Sequence, residues 1–181
     1  MRAWYEAIRT GLRAYTQNIY YDNFCYLYGA KGRRLENPEI IKEYFQMYPE
    51  YYARYNYEEK EQIIKNSLLK IAYDCSGFVG WLCTGDCQYS TGQIANSHDK
   101  TTDLAAGPAG SILYTTYNGS GRHIGLDIGY GYCLDMAYES TDRFIKEHKA
   151  GIRLYKITDG VTKWEVSGQS NVLDYTGSDA R

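Results

Sequence analysis

Residues 123–137 read His123-Ile124-Gly125-Leu126-Asp127-Ile128-Gly129, then Tyr130-Gly131, then Tyr132-Cys133-Leu134-Asp135-Met136-Ala137. Apolar residues alternate with polar residues or glycine, the period of strands half buried against a core. Glycines on either side of Tyr130 supply a turn, so the stretch reads as a β-hairpin. His123, Gly125, Asp127 and Gly129 share one face, and Ile124, Leu126 and Ile128 share the core face. A three-residue loop sets Gly125 opposite Asp135 and brings Asp135 onto the face of His123, diagonal to it and within side-chain reach. A slip of one residue would bury Asp135 among apolar chains, which is costly for a carboxylate. Asp127 is the rival partner, but it stands about 6.5–7 Å along the same strand and must reach past Gly125. A bare Gly125 beside His123 predicts open space above the sheet, the floor of a cleft.

The neighbouring sequence sets the fold class. Ser111–Tyr117 and Ile152–Ile157 carry the β-branched and aromatic content of further strands. Residues 88–110 are rich in Gly, Ser, Thr, Asn and Asp and read as loop. Upstream the period is helical. Trp4, Ile8, Leu12 and Tyr15 mark one face of a helix over 2–16. Asn37-Pro38-Glu39 is a helix start, Pro49 a break, and Asn56 with Glu59 a second start, giving a helical pair over 37–70. Helices first and an antiparallel sheet after indicate an α+β fold. Residues 1–170 are expected to form one domain that includes a helical insertion at about 35–70. Residues 171–181 are expected to be a polar tail, within a polar, weakly structured stretch from Ser167 to Arg181.

A third helix begins at Cys75 in Asp74-Cys75-Ser76-Gly77-Phe78-Val79, with Asp74 as its cap and Gly85 as its stop. Free N–H groups and the positive end of the dipole there favour a thiolate, which is the nucleophilic form. Ser76 and Gly77 are small enough to let a carbonyl approach, and the Cys75 N–H is a candidate oxyanion donor. A Cys–His pair needs a third group to orient the imidazole, and Asp135 is the candidate. His98 sits in a polar loop and His148 in a charged run, where solvated side chains are the rule. Cys83 and Cys87 have C-x3-C spacing without the second tight pair of a structural zinc site. No metal and no cofactor are expected.

Composition narrows the function classes. The 181 residues carry 20 Lys+Arg against 22 Asp+Glu, a balance that argues against a nucleic-acid-binding surface. Five cysteines cannot pair completely in a monomer. No stretch approaches the ~20 apolar residues of a membrane span. The first residues have no apolar core of a signal peptide, so synthesis in the cytoplasm is expected. Tyrosine is the oddity, with 21 against 4 Phe and 3 Trp. Twelve of them precede residue 58, so the excess belongs to the N-terminal segment and the insertion. Tyr suits rings that are half wet, either on a polar-rimmed helical subdomain or on a surface that meets carbohydrate or peptide.

Asp-Cys-Ser-Gly-Phe-Val at 74–79 and His-Ile-Gly-Leu-Asp-Ile-Gly at 123–129, with His123 48 residues after Cys75, resemble the NlpC/P60 family of papain-like cell-wall cysteine peptidases. The likeness runs from about Tyr26 to Ala137. It implies a papain-like fold, a nucleophile Cys75, a base His123 and, twelve positions on, the third polar residue at Asp135. It also implies an oxyanion-side tyrosine at Tyr26, and Asp74 and Ser76 at the positions that grip a free N-terminal amine in some members. Tyr26 lies 49 residues before Cys75, far more than the family's usual dozen, and the helical pair accounts for the gap. Asp127 replaces the usual aromatic and is expected to grip a cationic group, such as the amine of a diamino acid. The implied function is hydrolysis of an amide in the peptidoglycan stem peptide, with holin-type release to the wall by analogy with phage lysins. The alternatives are a muramoyl–alanine amidase, an acyltransferase on the same pair, and a non-catalytic wall-binding module.

Overall fold

The cap signals of the N-terminal half become helices where the sequence places them. β1 (Arg2–Ala3) leads into α1 (Trp4–Tyr21). Next come β2 (Phe24–Tyr26) and β3 (Lys31–Arg34). The insertion follows as α2 (Pro38–Met47), the single turn α3 (Pro49–Tyr52) and α4 (Tyr57–Ser67). Asn37 Oδ1 accepts the N–H groups of Glu39 and Ile40 at 3.1 and 3.2 Å. Asn56 and Glu59 exchange backbone and side-chain bonds in a capping box. β4 (Ile71–Tyr73) precedes α5 (Cys75–Thr84), which ends at Gly85 with φ 80°. Then come α6 (Thr91–Ile94), β5 (Ser97–Thr101), β6 (Ile112–Tyr117), β7 (Ser120–Gly129), β8 (Tyr132–Ala137), β9 (Gly151–Lys156), β10 (Val166–Ser170) and β11 (Leu173–Asp174). This computed structural model describes residues 2–104, 107–117, 120–137 and 151–175. The α+β class is as expected, and among the described residues no helix is long and apolar enough to cross a membrane.

A six-stranded sheet has the order β5-β10-β6-β7-β8-β9 with antiparallel neighbours throughout. Gly125 pairs with Asp135, the register read from the hairpin. The turn itself is tighter than a three-residue loop: Tyr130 and Gly131 are both left-handed, and an irregularity between Asp127 and Gly129 keeps the register. α5 has eight buried residues of ten, so no face is left for solvent and the helix must be central. It packs between α1 and strands β7 and β8, against Ile124, Leu126, Leu134 and Met136.

Several expectations are corrected. α1 runs on to Tyr21 and turns Ala7, Gly11 and Ala14 to the core, while Leu12 is exposed. The helix lies so close to its neighbours that only small residues fit the line of contact; Trp4, Ile8 and Tyr15 flank it. The stretch 88–110 contains α6 and β5. Ser167 and its neighbours are strand β10, inserted between β5 and β6, and Leu173–Asp174 pair in parallel with Arg2–Ala3. Residues 171–175 are therefore packed rather than a tail; Tyr175 donates to the Gly110 carbonyl at 2.7 Å. These polar, Ser- and Gly-rich strands lack the composition that marks a strand in sequence.

A second, smaller core lies on the opposite face of the sheet, with Leu113, Cys133, Tyr155, Ile157 and Trp164. The space above Gly125 is not open. A Cβ there would lie 2.9 Å from the Trp164 ring and 3.1 Å from the Leu134 carbonyl oxygen, so the glycine is the seat of the indole. Gly125→Ala should therefore cost about 1–3 kcal/mol in urea unfolding and shift the Trp164 fluorescence, because neither the ring nor the backbone can yield cheaply.

Candidate active site

The site is built where β4 becomes α5. Asp74 caps the helix, its Oδ1 accepting the Gly77 N–H at 2.6 Å. Gly77 is needed because a Cβ would stand 2.8 Å from the Ala30 carbonyl oxygen. Cys75 is the first helical residue, and first-turn N–H groups have no carbonyl partner within their helix. Its thiol faces the His123 imidazole across the cleft, and Sγ lies 3.9 Å from Thr91 Oγ1.

His123 comes from β7, and its Nε2 lies 2.8 Å from Asp135 Oδ2. An ionised carboxylate only accepts, so Nε2 donates and Nδ1 is left for the thiol. The Trp164 indole stacks on the imidazole with centroids 5.4 Å apart and planes at 12°. Burial opposes the imidazolium. The hydrogen bonds and charges of Asp135 and Cys75 outweigh it and raise His123 to about 9.

Asp135 is wholly buried. Arg153 stands directly opposite it on β9, and its Nε donates to Asp135 Oδ1 at 2.7 Å while Nη2 reaches Oδ2. The Tyr155 hydroxyl donates to Asp135 Oδ2 at 2.8 Å. Thr162 Oγ1 holds both Arg153 Nη2, at 3.0 Å, and the Tyr155 hydroxyl, at 2.9 Å. Burial pushes the Asp135 carboxyl up, but the donors His123 and Arg153 prevail and hold it down at about 2. The sequence reading found Cys75, His123 and Asp135 and missed this support. Arg153 was in a recognised strand, so a register across from Asp135 was the available signal. Trp164 and Thr162 sit in irregular chain, where no periodicity points to them.

The remaining residues line or leave a cleft of about 1090 Å³. Tyr26, Asp74, Cys75, Ser76 and His123 all line it, together with Lys31, Tyr28, Tyr48, Tyr51, Arg54, Thr91 and Arg122. Tyr26 reaches Cys75 because β2 pairs in parallel with β4, Tyr26 against Tyr73. Burial pushes its hydroxyl well above 10, so it stays a donor, and it is hydrogen-bonded to Tyr51. Lys31 Nζ, unrecognised in the sequence, donates to Asp74 Oδ1 at 2.8 Å, Ser76 Oγ at 2.6 Å and the Tyr89 carbonyl at 3.0 Å.

Asp127 is the correction among the site residues. It is buried, it is not in the cleft, and its Oδ1 accepts the Gly129 N–H at 2.7 Å. It shares the face of His123 as read, but that face passes under the small Trp164 core before reaching residue 127. Burial raises its carboxyl to about 6, with the Gly129 bond opposing. His98 is exposed beside Asn171, and His148 lies outside the described residues. Burial pushes the thiols of Cys25, Cys83 and Cys133 up to about 12, which leaves them inert at neutral pH.

Two titrations follow in separate windows. The raised His123 contributes stability that is present in full below about pH 6.5 and lost as pH rises through about 9. Guanidinium unfolding midpoints should fall across that range in the native protein and fall less there in Asp135→Asn. The raised Asp127 favours its neutral form, so its contribution is present below about 3.8 and lost as pH rises through about 6. Asp127→Asn keeps an acceptor for Gly129 without the buried charge and should raise the unfolding midpoint at pH 7. No family model matches the chain and no curated protein matches it.

Proposed function

We propose that the chain is a cysteine hydrolase of the papain-like NlpC/P60 kind that cuts an amide within the peptidoglycan stem peptide. The observation that carries this reading is the chain of contacts from Cys75, at a helix N-terminus, to His123, and from His123 to the buried Asp135. Cys75 alone among the described cysteines faces an imidazole. The thiol proton is held on His123, and Cys75 Sγ attacks the substrate carbonyl carbon. The resulting oxyanion meets the Cys75 N–H and the Tyr26 hydroxyl. As the C–N bond breaks, His123 returns the proton to the leaving amine. A water molecule, deprotonated by His123, then releases the acid from the thioester.

Lys31 supports cleavage of an internal bond. The resemblance implies that Asp74 and Ser76 can grip a free N-terminal amine, but here both are held by the protein's own ammonium. A substrate amine would have to compete with Lys31 for both side chains.

The test is mass spectrometry of muropeptides after digestion of purified wall. New amino termini within the stem support the endopeptidase, naked glycan shifts the reading to the muramoyl–alanine amidase, and a joined product shifts it to acyl transfer. Cys75→Ala should lower turnover at least about a thousandfold. Wall binding with no product and no effect of Cys75→Ala would show a binding module instead.

A further inference from the structure

The cleft's charges decide what ligand suits it, and the argument rests on the hydrolase reading above. Lys31 and Asp74 neutralise each other. Arg54 and Arg122 also line the cleft, both are exposed, and neither has an ion-pair partner among the described residues. The cleft therefore has surplus positive charge beside Cys75.

The tyrosines of the insertion explain how Arg54 is held. Tyr51 stacks on Tyr28 with centroids 3.9 Å apart and planes at 8°. The Arg54 guanidinium carbon lies 3.6 Å from the Tyr51 ring centre. Two groups that close cannot share a face, so Tyr51 is sandwiched. Tyr48 meets Tyr28 edge-on at 5.3 Å. Arg54 Nε also donates to the Tyr51 carbonyl at 2.9 Å. Tyr51 thus has no free face on which a sugar ring could stack. What the column presents is a guanidinium held on the Tyr51 ring through its carbon and Nε, with Nη1 and Nη2 unclaimed by any described residue. Such a fork matches a carboxylate with two parallel hydrogen bonds, and its stacking removes part of the entropy cost of binding. Tyr51 is hydrogen-bonded to Tyr26, which borders Cys75, so the receptor and the nucleophile belong to one connected wall.

The geometry points to Arg54 as the receptor for a carboxylate that the substrate carries near the scissile amide. The enzyme then prefers an acidic stem peptide to the same peptide with that carboxylate amidated, and the helical insertion is its specificity element.

Two synthetic stem peptides that differ only in a carboxylate or carboxamide next to the cleaved bond provide the test. The native protein should favour the acid in kcat/KM by about tenfold, as expected for a charge-assisted pair. Arg54→Gln should abolish that preference, bringing the acid-to-amide ratio of kcat/KM to about one. Arg54→Lys keeps the charge but not the stacked fork and should recover only part of the preference. An unchanged unfolding midpoint in both variants shows that the wall is intact. Equal native rates on the two peptides, or equal slowing of both by Arg54→Gln, overturn the assignment and leave the hydrolase reading in place. If neither peptide is cleaved, the hydrolase reading falls. Calorimetry with Cys75→Ala then decides the arginine: binding of the acid that weakens in the Cys75→Ala, Arg54→Gln double variant upholds it, and binding without preference overturns it.

Discussion

A carboxylate with no solvent exposure must be paired where it stands, and the arrangement around Asp135 meets that demand. Arg153 neutralises it, Tyr155 fills a further acceptor position, and Thr162 ties those two donors together. Removing one partner of such a buried pair typically costs about 3–5 kcal/mol, whereas an apolar substitute for the whole cluster is often no less stable. Stability alone therefore gives no reason to keep the charges. Orientation does: the only group that Asp135 presents toward the cleft is His123, whose ring it fixes through Nε2. The pairing also aligns three strands, since Gly125, Asp135 and Arg153 stand in one cross-strand row. Trp164 completes the constraint from above, occupying the space that Gly125 vacates and covering one face of the imidazole.

The nucleophile is placed by a second, independent device. α5 is held by apolar contacts on every side, and only its first turn emerges at the cleft. The Asp74 cap fixes where that turn starts, and Lys31 fixes Asp74. Cys75 and His123 thus meet because a helix end and a strand position are each determined by their own core contacts. Neither depends on the bond between them, which leaves that bond free to change as a proton moves.

What the sequence made legible follows from how local each signal is. The start of α5 is written in a cap, two small residues and a terminal glycine, and the hairpin register in alternation and a glycine-flanked turn. The row Gly125–Asp135 could be read for that reason. Arg153 could not, because thirteen residues, 138–150, separate it from β8, and a sequence interval of that length does not fix a register. The sheet of β2, β3 and β4 was illegible for a related reason: strands of three and four residues pair across the whole insertion. Asp127 shows the limit of periodicity itself. Alternation assigns a residue to a face, but it cannot say where along that face a cleft ends and a core begins.

The 49-residue interval between Tyr26 and Cys75 looks prohibitive in sequence and is harmless in space. β2 pairs in parallel with β4, so Tyr26 is fixed against Tyr73 whatever length of chain lies between them. Closure entropy grows only logarithmically with such a length, and the inserted segment joins the main core through Ile41, Tyr52 and Ile63. Its cost to the catalytic framework is therefore small, while its tyrosines and Arg54 form one side of the cleft. This reverses the electrostatic expectation drawn from the strand. The extra carboxylate of β7 is buried away from the ligand, and the unpaired charges that face the ligand are guanidinium groups. If Arg54 receives a substrate carboxylate as proposed, selectivity is set by the part of the chain that departs most from the resembling family, and it favours a negative substrate group where the strand alone suggested a positive one.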